Sequence, residues 1–489
     1  MATGRNKPRP NGERETDLKR LLLVLLILCL AGCQPGAGAQ GVNKDIAGTW
    51  QGALTVGAIK LRLVVNVNKQ TDGFLKGTLV SVDQGNASAP FDTLTFQKGT
   101  LHFTVEPWKV VFDGTVSADG MSIDGAFKQP GNSMPLLLKR DANVPVVNRP
   151  QEPKKPYPYT EVEVGCENTA QHIHLAGTLT VPTGAGPFPA VLLITGSGQQ
   201  DRDETLMGHK PFLVLADYLT RHGIAVLRVD DRGAGKSTGD FAAATTADFA
   251  TDAEAGIAFL KTRKEVNPAQ IGLIGHSEGG LIAPMIAARS KDVAFIVLMA
   301  GPGVSGAEIL KLQQNLIAKA LGASDATLAE NGFLGAKIDA ILKAEPDNTK
   351  AQQEITALVQ ARIDKMPEAE RKAAGDPALS AKTMTSLWMR YFLFYDPQPA
   401  LRKVTCPVLA LNGSKDLQVP PSQNLPAIVA ALTAGGNTDF TVRELPNLNH
   451  LFQTCKTGSP AEYNLIAETL APVALETMTM WILQHTAAK

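Results

Sequence analysis

A Gly-His-Ser-Glu-Gly pentapeptide at residues 275–279 places Ser277 between an apolar run at 271–274 and a helix-like stretch at 281–289. Strand, sharp turn and helix in this order form an elbow that pushes the serine side chain outward, and the flanking glycines leave room for the tight backbone. The pattern favours an α/β fold and predicts Ser277 as a nucleophile toward acyl bonds.

The pentapeptide needs support from the rest of the chain. Glycine makes up 44 of 489 residues, so a chance Gly-x-Ser-x-Gly match is expected about 0.2 times in a chain of this length. A buried-strand run at 407–411 leads into a turn that carries Asp416, and a strand-like run at 440–445 leads into a loop that carries His450. Serine, aspartate and histidine therefore follow predicted strands in that chain order.

These three residue types match the needs of acyl transfer. A serine hydroxyl is a poor nucleophile at neutral pH, so we expect His450 to accept its proton and Asp416 to orient the imidazole and stabilise its charged form. Each residue also has a structural interpretation: Ser277 as a helix cap, Asp416 as a turn former and His450 as a surface side chain. His276, next to the nucleophile, is expected to point away from it.

Residues 160–489 resemble the α/β-hydrolase superfamily, and the block around Ser277 is similar to its bacterial serine-aminopeptidase-like and esterase-like branch. The most specific segments are Ile-Thr-Gly-Ser-Gly at 194–198, Asp-Asp-Arg-Gly-Ala-Gly-Lys-Ser at 230–237, the elbow at 275–280, Asn-Gly-Ser-Lys-Asp at 412–416 and Asn-His at 449–450. The resemblance implies a mostly parallel sheet with a helical lid, and a serine hydrolase that uses no cofactor and no metal ion. These motifs specify the superfamily and not the substrate.

The resemblance also implies two backbone N–H donors for the oxyanion of the tetrahedral intermediate. One is the N–H of Glu278, the residue after the nucleophile. The second is expected in the loop where the usual His-Gly of the superfamily is replaced by Thr195-Gly196. Ser197 is the first choice for this donor and Gly198 the second.

Residues 1–32 resemble a bacterial lipoprotein signal peptide. A basic segment ends at Arg20, an apolar run covers 21–30, and the segment closes with Leu-Ala-Gly before Cys33. The run is too short to span a bilayer stably, so we expect cleavage before Cys33 and lipid attachment to its sulfur, with an uncleaved anchor as the alternative. Either form predicts an exported, periplasm-facing protein anchored to a bacterial membrane, and Gln34 favours the outer membrane by the lipoprotein analogy.

The charge balance is typical of a globular enzyme and gives no sign of a nucleic-acid partner. The precursor carries 47 basic and 47 acidic residues, and without residues 1–32 it carries 41 and 44, a net charge of −3. Nucleic-acid binding needs a basic footprint. After the leader, Cys166, Cys406 and Cys455 allow at most one internal disulfide, and a bond between the last two is left open.

Residues 45–140 are predicted to form a small all-β domain. Alternating runs at 61–67 and 101–105, punctuated by Asp-Gly turns, indicate short antiparallel strands joined by hairpins. Five aromatic side chains are expected in its core: Trp50, Phe74, Phe96, Phe112 and Phe127. A proline-rich linker over 141–158 is predicted to be extended and semi-rigid.

The hydrolase domain is predicted over 159–489, with a helical cap inserted at about 303–402. A strand-like run at 293–299 is followed by charged, helix-rich sequence before the strand pattern resumes. Insertions at this place usually lie over the carboxyl ends of the strands, where loops build the site. The apolar stretch at 387–395 is either a wall of the acyl pocket or a helix that packs on the core.

The sequence therefore predicts an exported, lipid-anchored serine hydrolase that cleaves small carboxylic esters or other acyl substrates through an acyl-enzyme at Ser277. An aminopeptidase or amidase is the first alternative, with Glu278 or Asp203 as the subsite for a free amine. A non-catalytic binding lipoprotein on a hydrolase scaffold is the second alternative, and the presence of all three triad residue types disfavours it.

Overall fold

The structure is a computed structural model that describes residues 45–487, apart from 57–58, 71–72, 84–86, 130–131, 142–148, 367 and 372–374. The predicted signal peptide and Cys33 lie outside the described residues. The chain divides into two compact units, one made of residues 1–146 with 318–385 and the other of residues 147–317 with 386–489. Among the helices that the structure describes, none has the length and apolar character needed to cross a membrane.

The first unit contains a nine-stranded antiparallel sheet. Its strands are β1 (Gly48–Val56), β2 (Ile59–Lys69), β3 (Leu75–Ser81), β4 (Ala87–Pro90), β5 (Thr93–Gln97), β6 (Thr100–Val105), β7 (Val110–Val116), β8 (Ser122–Gln129) and β9 (Asn132–Arg140). The order in the sheet is β4-β3-β2-β1-β9-β8-β7-β6-β5, so the first strand pairs with the second and the ninth. The predicted all-β domain is confirmed.

The core of this sheet contains most of the aromatic residues that the sequence assigned to it. Trp50, Phe112 and Phe127 are buried, and Phe96 packs at the edge of the same cluster. The prediction is wrong for Phe74, which is 72% exposed. Phe74 lies in the turn before β3, where its carbonyl closes the turn and the alternation of inward and outward side chains has not yet begun.

The second unit contains an eight-stranded sheet. Its strands are β10 (Thr160–Asn168), β11 (Ile173–Val181), β12 (Phe188–Ile194), β13 (Ala225–Val229), β14 (Val266–His276), β15 (Phe295–Met299), β16 (Val408–Gly413) and β17 (Phe440–Leu445). The order is β10-β11-β13-β12-β14-β15-β16-β17. The pairs β10–β11 and β11–β13 are antiparallel and the remaining pairs are parallel. The predicted mostly parallel sheet is confirmed.

The described helices complete both units. They are α1 (Pro211–Arg221), α2 (Thr246–Lys261), α3 (Gly279–Ala287), α4 (Gly306–Ala320), α5 (Asp325–Ala344), α6 (Asn348–Ile363), α7 (Glu368–Arg371), α8 (Pro377–Met384), α9 (Leu387–Phe394), α10 (Gln398–Leu401), α11 (Pro421–Ala434) and α12 (Pro472–Thr486), with 3-10 helices at Glu106–Trp108 and Pro460–Leu465. Helices α4 to α10 all lie between β15 and β16, so the predicted insertion at about 303–402 is helical.

Helices cover both faces of the parallel sheet. Helices α2, α3 and α11 pack on one face, and α1 and α12 pack on the other. Every residue of β15 and β16 is buried as a result. This explains why these strands read as continuous apolar runs rather than alternating ones.

The described end of the predicted linker is tied to the second unit. The Arg149 guanidinium donates hydrogen bonds to the carbonyl oxygens of Ile466 (2.8 Å) and Asn464 (3.0 Å). The amide of Gln151 donates to the carbonyl oxygen of Leu470 at 2.6 Å. Hydrogen bonds therefore join residues 149–151 to the rest of the second unit.

Candidate active site

The three predicted catalytic residues follow neighbouring parallel strands. Ser277 follows β14, Asp416 lies in the turn after β16, and His450 lies in the loop after β17. These strands are parallel to one another through β15. Because parallel strands end at the same edge of a sheet, the fold brings all three residues to one edge.

Ser277 lies on a strained elbow. Its φ is +52°, in the left-handed region, and its N–H donates to the carbonyl oxygen of Met299 at 2.8 Å. A Cβ atom on Gly275 would lie 2.0 Å from the carbonyl oxygen of Gly279, and a Cβ on Gly279 would lie 2.2 Å from that of Ile194. Both clashes involve backbone, so the elbow requires glycine on each side of the serine.

His450 and Asp416 form a buried pair. The Nδ1 atom of His450 lies 2.8 Å from Oδ2 of Asp416, and both side chains are almost fully excluded from solvent. Oδ1 of Asp416 accepts backbone N–H bonds from Gln418 (2.8 Å) and Val419 (2.9 Å). These donors compensate a buried carboxylate, and the carboxylate places a proton on Nδ1 of His450. The Nε2 atom of His450 is then the acceptor that a general base needs.

His276 connects the elbow to the loop of His450. Its Nε2 atom lies 3.0 Å from the carbonyl oxygen of His450, and the two rings are 4.9 Å apart between centroids. The loop that carries His450 is therefore held against the residue that precedes Ser277. The direct hydrogen bond from the Ser277 hydroxyl to His450 stays a prediction.

The sequence analysis did not identify the partner of His276. Nδ1 of His276 lies 2.9 Å from Oε1 of Glu204, and both side chains are buried. Glu204 lies in an acidic loop, 201–204, that follows the strand β12. The sequence does place His276 between apolar segments. A histidine ring buried there needs a polar partner, so a partner could have been predicted, although not its identity.

The loop after β12 approaches Ser277 closely. A Cβ atom on Gly196 would lie 3.3 Å from Cβ of Ser277. The N–H of Gly196 donates to Glu204 at 2.8 Å and is therefore occupied. The next two residues, Ser197 and Gly198, are exposed, and the choice between their N–H groups as the second oxyanion donor stays a prediction.

Glu278 is fixed by its own side chain. The residue directly precedes α3, and its Oε1 atom accepts hydrogen bonds from the Thr246 hydroxyl (2.6 Å) and the Trp388 indole (2.7 Å). Burial raises the pKa of this carboxyl group. The two donors hold the residue whose backbone N–H is the predicted first oxyanion donor.

Helix α9 combines the two roles considered for the stretch 387–395. Trp388 reaches Glu278 and stacks on Phe392, with ring centroids 5.3 Å apart. Tyr391 and Tyr395 pack against the core on the α2, α3 and α11 face of the sheet. These residues stand at i, i+3, i+4 and i+7, so one face of the helix meets both the elbow and the core.

A cavity of about 50 Å³ lies beside the elbow. Its lining includes apolar side chains and two carboxyl groups: Leu192, Phe241, Phe249, Ile282, Asp231 and Glu278. Asp231 accepts hydrogen bonds from the Thr195 hydroxyl and the Gln200 N–H, both at 2.8 Å. Burial raises the pKa of Asp231 to about 7, so the neutral acid is accessible near physiological pH.

The three body cysteines are free thiols. Cys166 and Cys455 are buried, and Cys406 is half-buried. The disulfide between Cys406 and Cys455, left open by the sequence, is not formed in the described part of the chain. Burial raises the pKa of Cys406 to about 12, which makes its thiol unreactive.

Comparison with known proteins identifies similar hydrolases. Residues 211–454 match the family described as serine aminopeptidase, S33. Esterase EstD of Thermotoga maritima is 29% identical over 290 residues, which cover 59% of this chain and 61% of that esterase. The chain thus spans about three fifths of the length of this curated relative.

Two solved structures are also similar. The Pyrococcus furiosus esterase Pf2001 is 16% identical with a TM-score of 0.41, over 70% of this chain and 98% of that one. The α/β hydrolase GrgF from Penicillium sp. sh18 is 17% identical with a TM-score of 0.43, over 68% of this chain and 100% of that one.

Proposed function

We propose that this protein, which belongs to the α/β-hydrolase superfamily, is a serine esterase that cleaves carboxylic esters through an acyl-enzyme at Ser277. The observation that carries the proposal is the buried pair of His450 and Asp416, 2.8 Å apart, at the sheet edge where Ser277 adopts its left-handed elbow. The pair supplies an oriented base, and the elbow supplies a nucleophile.

The reaction follows from these positions. The Ser277 oxygen attacks the ester carbonyl while Nε2 of His450 takes its proton, and Asp416 stabilises the imidazolium. The oxyanion accepts hydrogen bonds from the N–H of Glu278 and from the loop after β12. The imidazolium then returns its proton to the departing alkoxide, and the alcohol leaves an acyl ester on the serine. Water attacks this ester by the same route and releases the carboxylic acid.

The contacts of the two carboxyl groups considered for a free-amine subsite, Glu278 and Asp203, support esters over amino-terminal peptides. An aminopeptidase needs an anionic side chain free to bind the substrate ammonium group. Glu278 is held by two neutral donors, and its burial raises its pKa and favours the uncharged form. Asp203 pairs with Arg228 and so already has a cationic partner. Neither residue is available as a counter-ion for a free amine.

The aminopeptidase or amidase remains the second candidate because of the family that residues 211–454 match. We would assay p-nitrophenyl esters of several acyl lengths beside aminoacyl anilides, using wild type and Ser277→Ala. We expect the wild type to turn over short esters, and the variant to lose about 10³-fold or more of kcat. Turnover of the anilides alone would overturn the esterase assignment. Turnover of neither series would favour the non-catalytic binding protein.

The leader supports export and a lipid anchor on Cys33 as part of the same proposal. A lipid-anchored esterase acts on small ester or acyl substrates at the periplasmic face of a bacterial membrane, with the outer membrane favoured. Two or more acyl chains are needed for firm anchoring. Metabolic labelling with an alkyne fatty acid should mark the wild type and not Cys33→Ala, and equal labelling of both would contradict the anchor.

A further inference from the structure

Glu204 and His276 form an ion pair behind the nucleophile. Their side chains are 3% and 6% exposed, and Nδ1 of the histidine lies 2.9 Å from Oε1 of the glutamate. Glu204 also adopts a left-handed backbone, with φ at +52°. A buried charged pair on a strained backbone needs compensation from the surrounding structure.

The pair contacts three separate loops of the site. Oε1 of Glu204 accepts the N–H of Gly196 at 2.8 Å, in the loop that approaches the serine. His276 is part of the elbow itself. Its Nε2 atom lies 3.0 Å from the carbonyl oxygen of His450, in the loop of the general base. One pair of side chains therefore joins the oxyanion loop, the nucleophile and the base.

The hydrogen-bond partners define the protonation of His276. A carbonyl oxygen only accepts, so Nε2 of His276 carries a proton. Nδ1 faces a carboxylate oxygen that already accepts the N–H of Gly196, so a proton on Nδ1 satisfies that contact as well. Burial by itself lowers the pKa of His276, but the adjacent Glu204 carboxylate, the carbonyl of His450 and the nearby Asp416 together raise it.

We infer that Glu204 and His276 are positioning residues for the proposed ester hydrolysis. Glu204 holds His276 as an imidazolium, and His276 in turn holds the backbone of His450 and the adjacent loop of Gly196. The inference rests on the proposed function, because the loops it connects are those of Ser277, its base and its oxyanion donor.

The charge of Glu204 also affects the chemistry. The ring of His450 becomes an imidazolium while it holds the serine proton, and its centroid lies 4.9 Å from that of His276. Two like charges at this separation repel strongly at the low dielectric of a buried site. The carboxylates that face the two rings are Glu204 and Asp416, and Asp231 lies near Glu204. Without the charge of Glu204, Asp416 is the one carboxylate among the described residues left facing the rings of His276 and His450.

The test is Glu204→Gln, which keeps an oxygen acceptor for Gly196 and removes the charge. We expect kcat for a p-nitrophenyl ester to fall about 10- to 100-fold with little change in KM, because a buried charged hydrogen bond is lost. We also expect a new loss of activity toward alkaline pH, where His276 gives up one of its two ring protons and can no longer donate to both the side chain at position 204 and the carbonyl oxygen of His450. Glu204→Asp retains the charge and should restore the alkaline plateau.

The matched control is Glu167→Gln. Glu167 pairs with His174 at 2.6 Å on an exposed part of β10 and β11, so it repeats the same type of pair outside the site. This variant should keep the wild-type rate and pH profile. A folded Glu204→Gln variant with wild-type kcat and pH profile would overturn the inference.

A second measurement is made on the wild type and does not depend on activity. Nitrogen NMR of histidine-labelled wild type, with the His276 signal assigned by His276→Gln, should show a ring protonated on both nitrogens over a pH range above the ordinary imidazole pKa of about 6.5, because a buried carboxylate partner favours the charged ring. A ring that is neutral throughout this range would overturn the inference. A wild type without esterase activity would instead contradict the proposed function, and the NMR result would still decide the protonation of His276.

Discussion

Replacement of Asp416 by asparagine should disable the base without unfolding the protein. Oδ1 of Asp416 is held by two backbone N–H donors, from Gln418 and Val419. The asparagine oxygen is therefore expected to take the place of Oδ1, which turns its NH₂ group toward Nδ1 of His450, now 2.8 Å from Oδ2. Two donors then face each other, so His450 must move its proton from Nδ1 to Nε2. In that tautomer it cannot accept the proton of Ser277.

The expected loss is large for kcat and small for stability. A wrong tautomer of this kind lowers kcat by about 10⁴ in a serine protease triad, which corresponds to about 5.5 kcal/mol of activation free energy. The two backbone donors keep their acceptor, so we expect the free energy of unfolding to fall by only about 1–2 kcal/mol.

Steady-state hydrolysis of a p-nitrophenyl ester gives kcat, and thermal unfolding by circular dichroism gives the stability. The matched control is Asp439→Asn, because Asp439 is exposed and contacts His485 at 3.4 Å far along the chain from the elbow. The control should retain wild-type kcat. A folded Asp416→Asn enzyme with kcat within tenfold of wild type would refute the assignment of Asp416 as the orienting carboxylate.

Four further substitutions, one of them a control, test the packing and electrostatics around the elbow. Trp388→Phe removes the indole donor to Glu278, 2.7 Å away. We expect kcat/KM to fall about 5- to 10-fold, since a buried hydrogen bond contributes about 1 kcal/mol or more. Unchanged kinetics would contradict the role given to this contact. Gly275→Ala places a Cβ 2.0 Å from a backbone oxygen and should cost more than about 3 kcal/mol of unfolding free energy. The control is Gly332→Ala in helix α5, where no atom lies within 4 Å of the new Cβ, and it should raise the free energy of unfolding by about 0.5–1 kcal/mol. Equal melting temperatures for Gly275→Ala and Gly332→Ala would contradict the steric argument. Burial raises the pKa of Asp231 to about 7, above about 3.9 in the unfolded chain, so the native state binds an extra proton and stability is lost as pH rises toward and through about 7. Asp231→Asn should flatten this decline in melting temperature, and a decline as steep as in the wild type would assign it to another group.

The strands of the second unit were predictable because burial on both faces requires continuous apolar runs in the sequence. The predicted runs at 271–274, 407–411 and 440–445 each coincide with an observed strand to within a residue or lie inside one. Turn-rich segments after those runs then located Ser277, Asp416 and His450. Parallel pairing then places the three residues together, since it brings the ends of separate strands to one edge of the sheet.

The contacts of Glu204 and Trp388 were not predictable in the same way. Glu204 and His276 are 72 residues apart and Trp388 is 110 residues from Glu278, and neither contact follows a helical or strand period. Loops and an inserted helix decide these pairs, and their geometry depends on packing that local sequence does not encode. The exposed Phe74 has a similar origin, because one turn position decides whether an aromatic side chain enters the core.

Reaction with a fluorophosphonate, followed by peptide mapping with mass spectrometry, tests the nucleophile most directly. We expect one phosphonylated residue in the wild type, at Ser277, and no adduct in Ser277→Ala. An adduct at a different serine, or rapid ester hydrolysis by a protein that takes up no probe, would contradict the account.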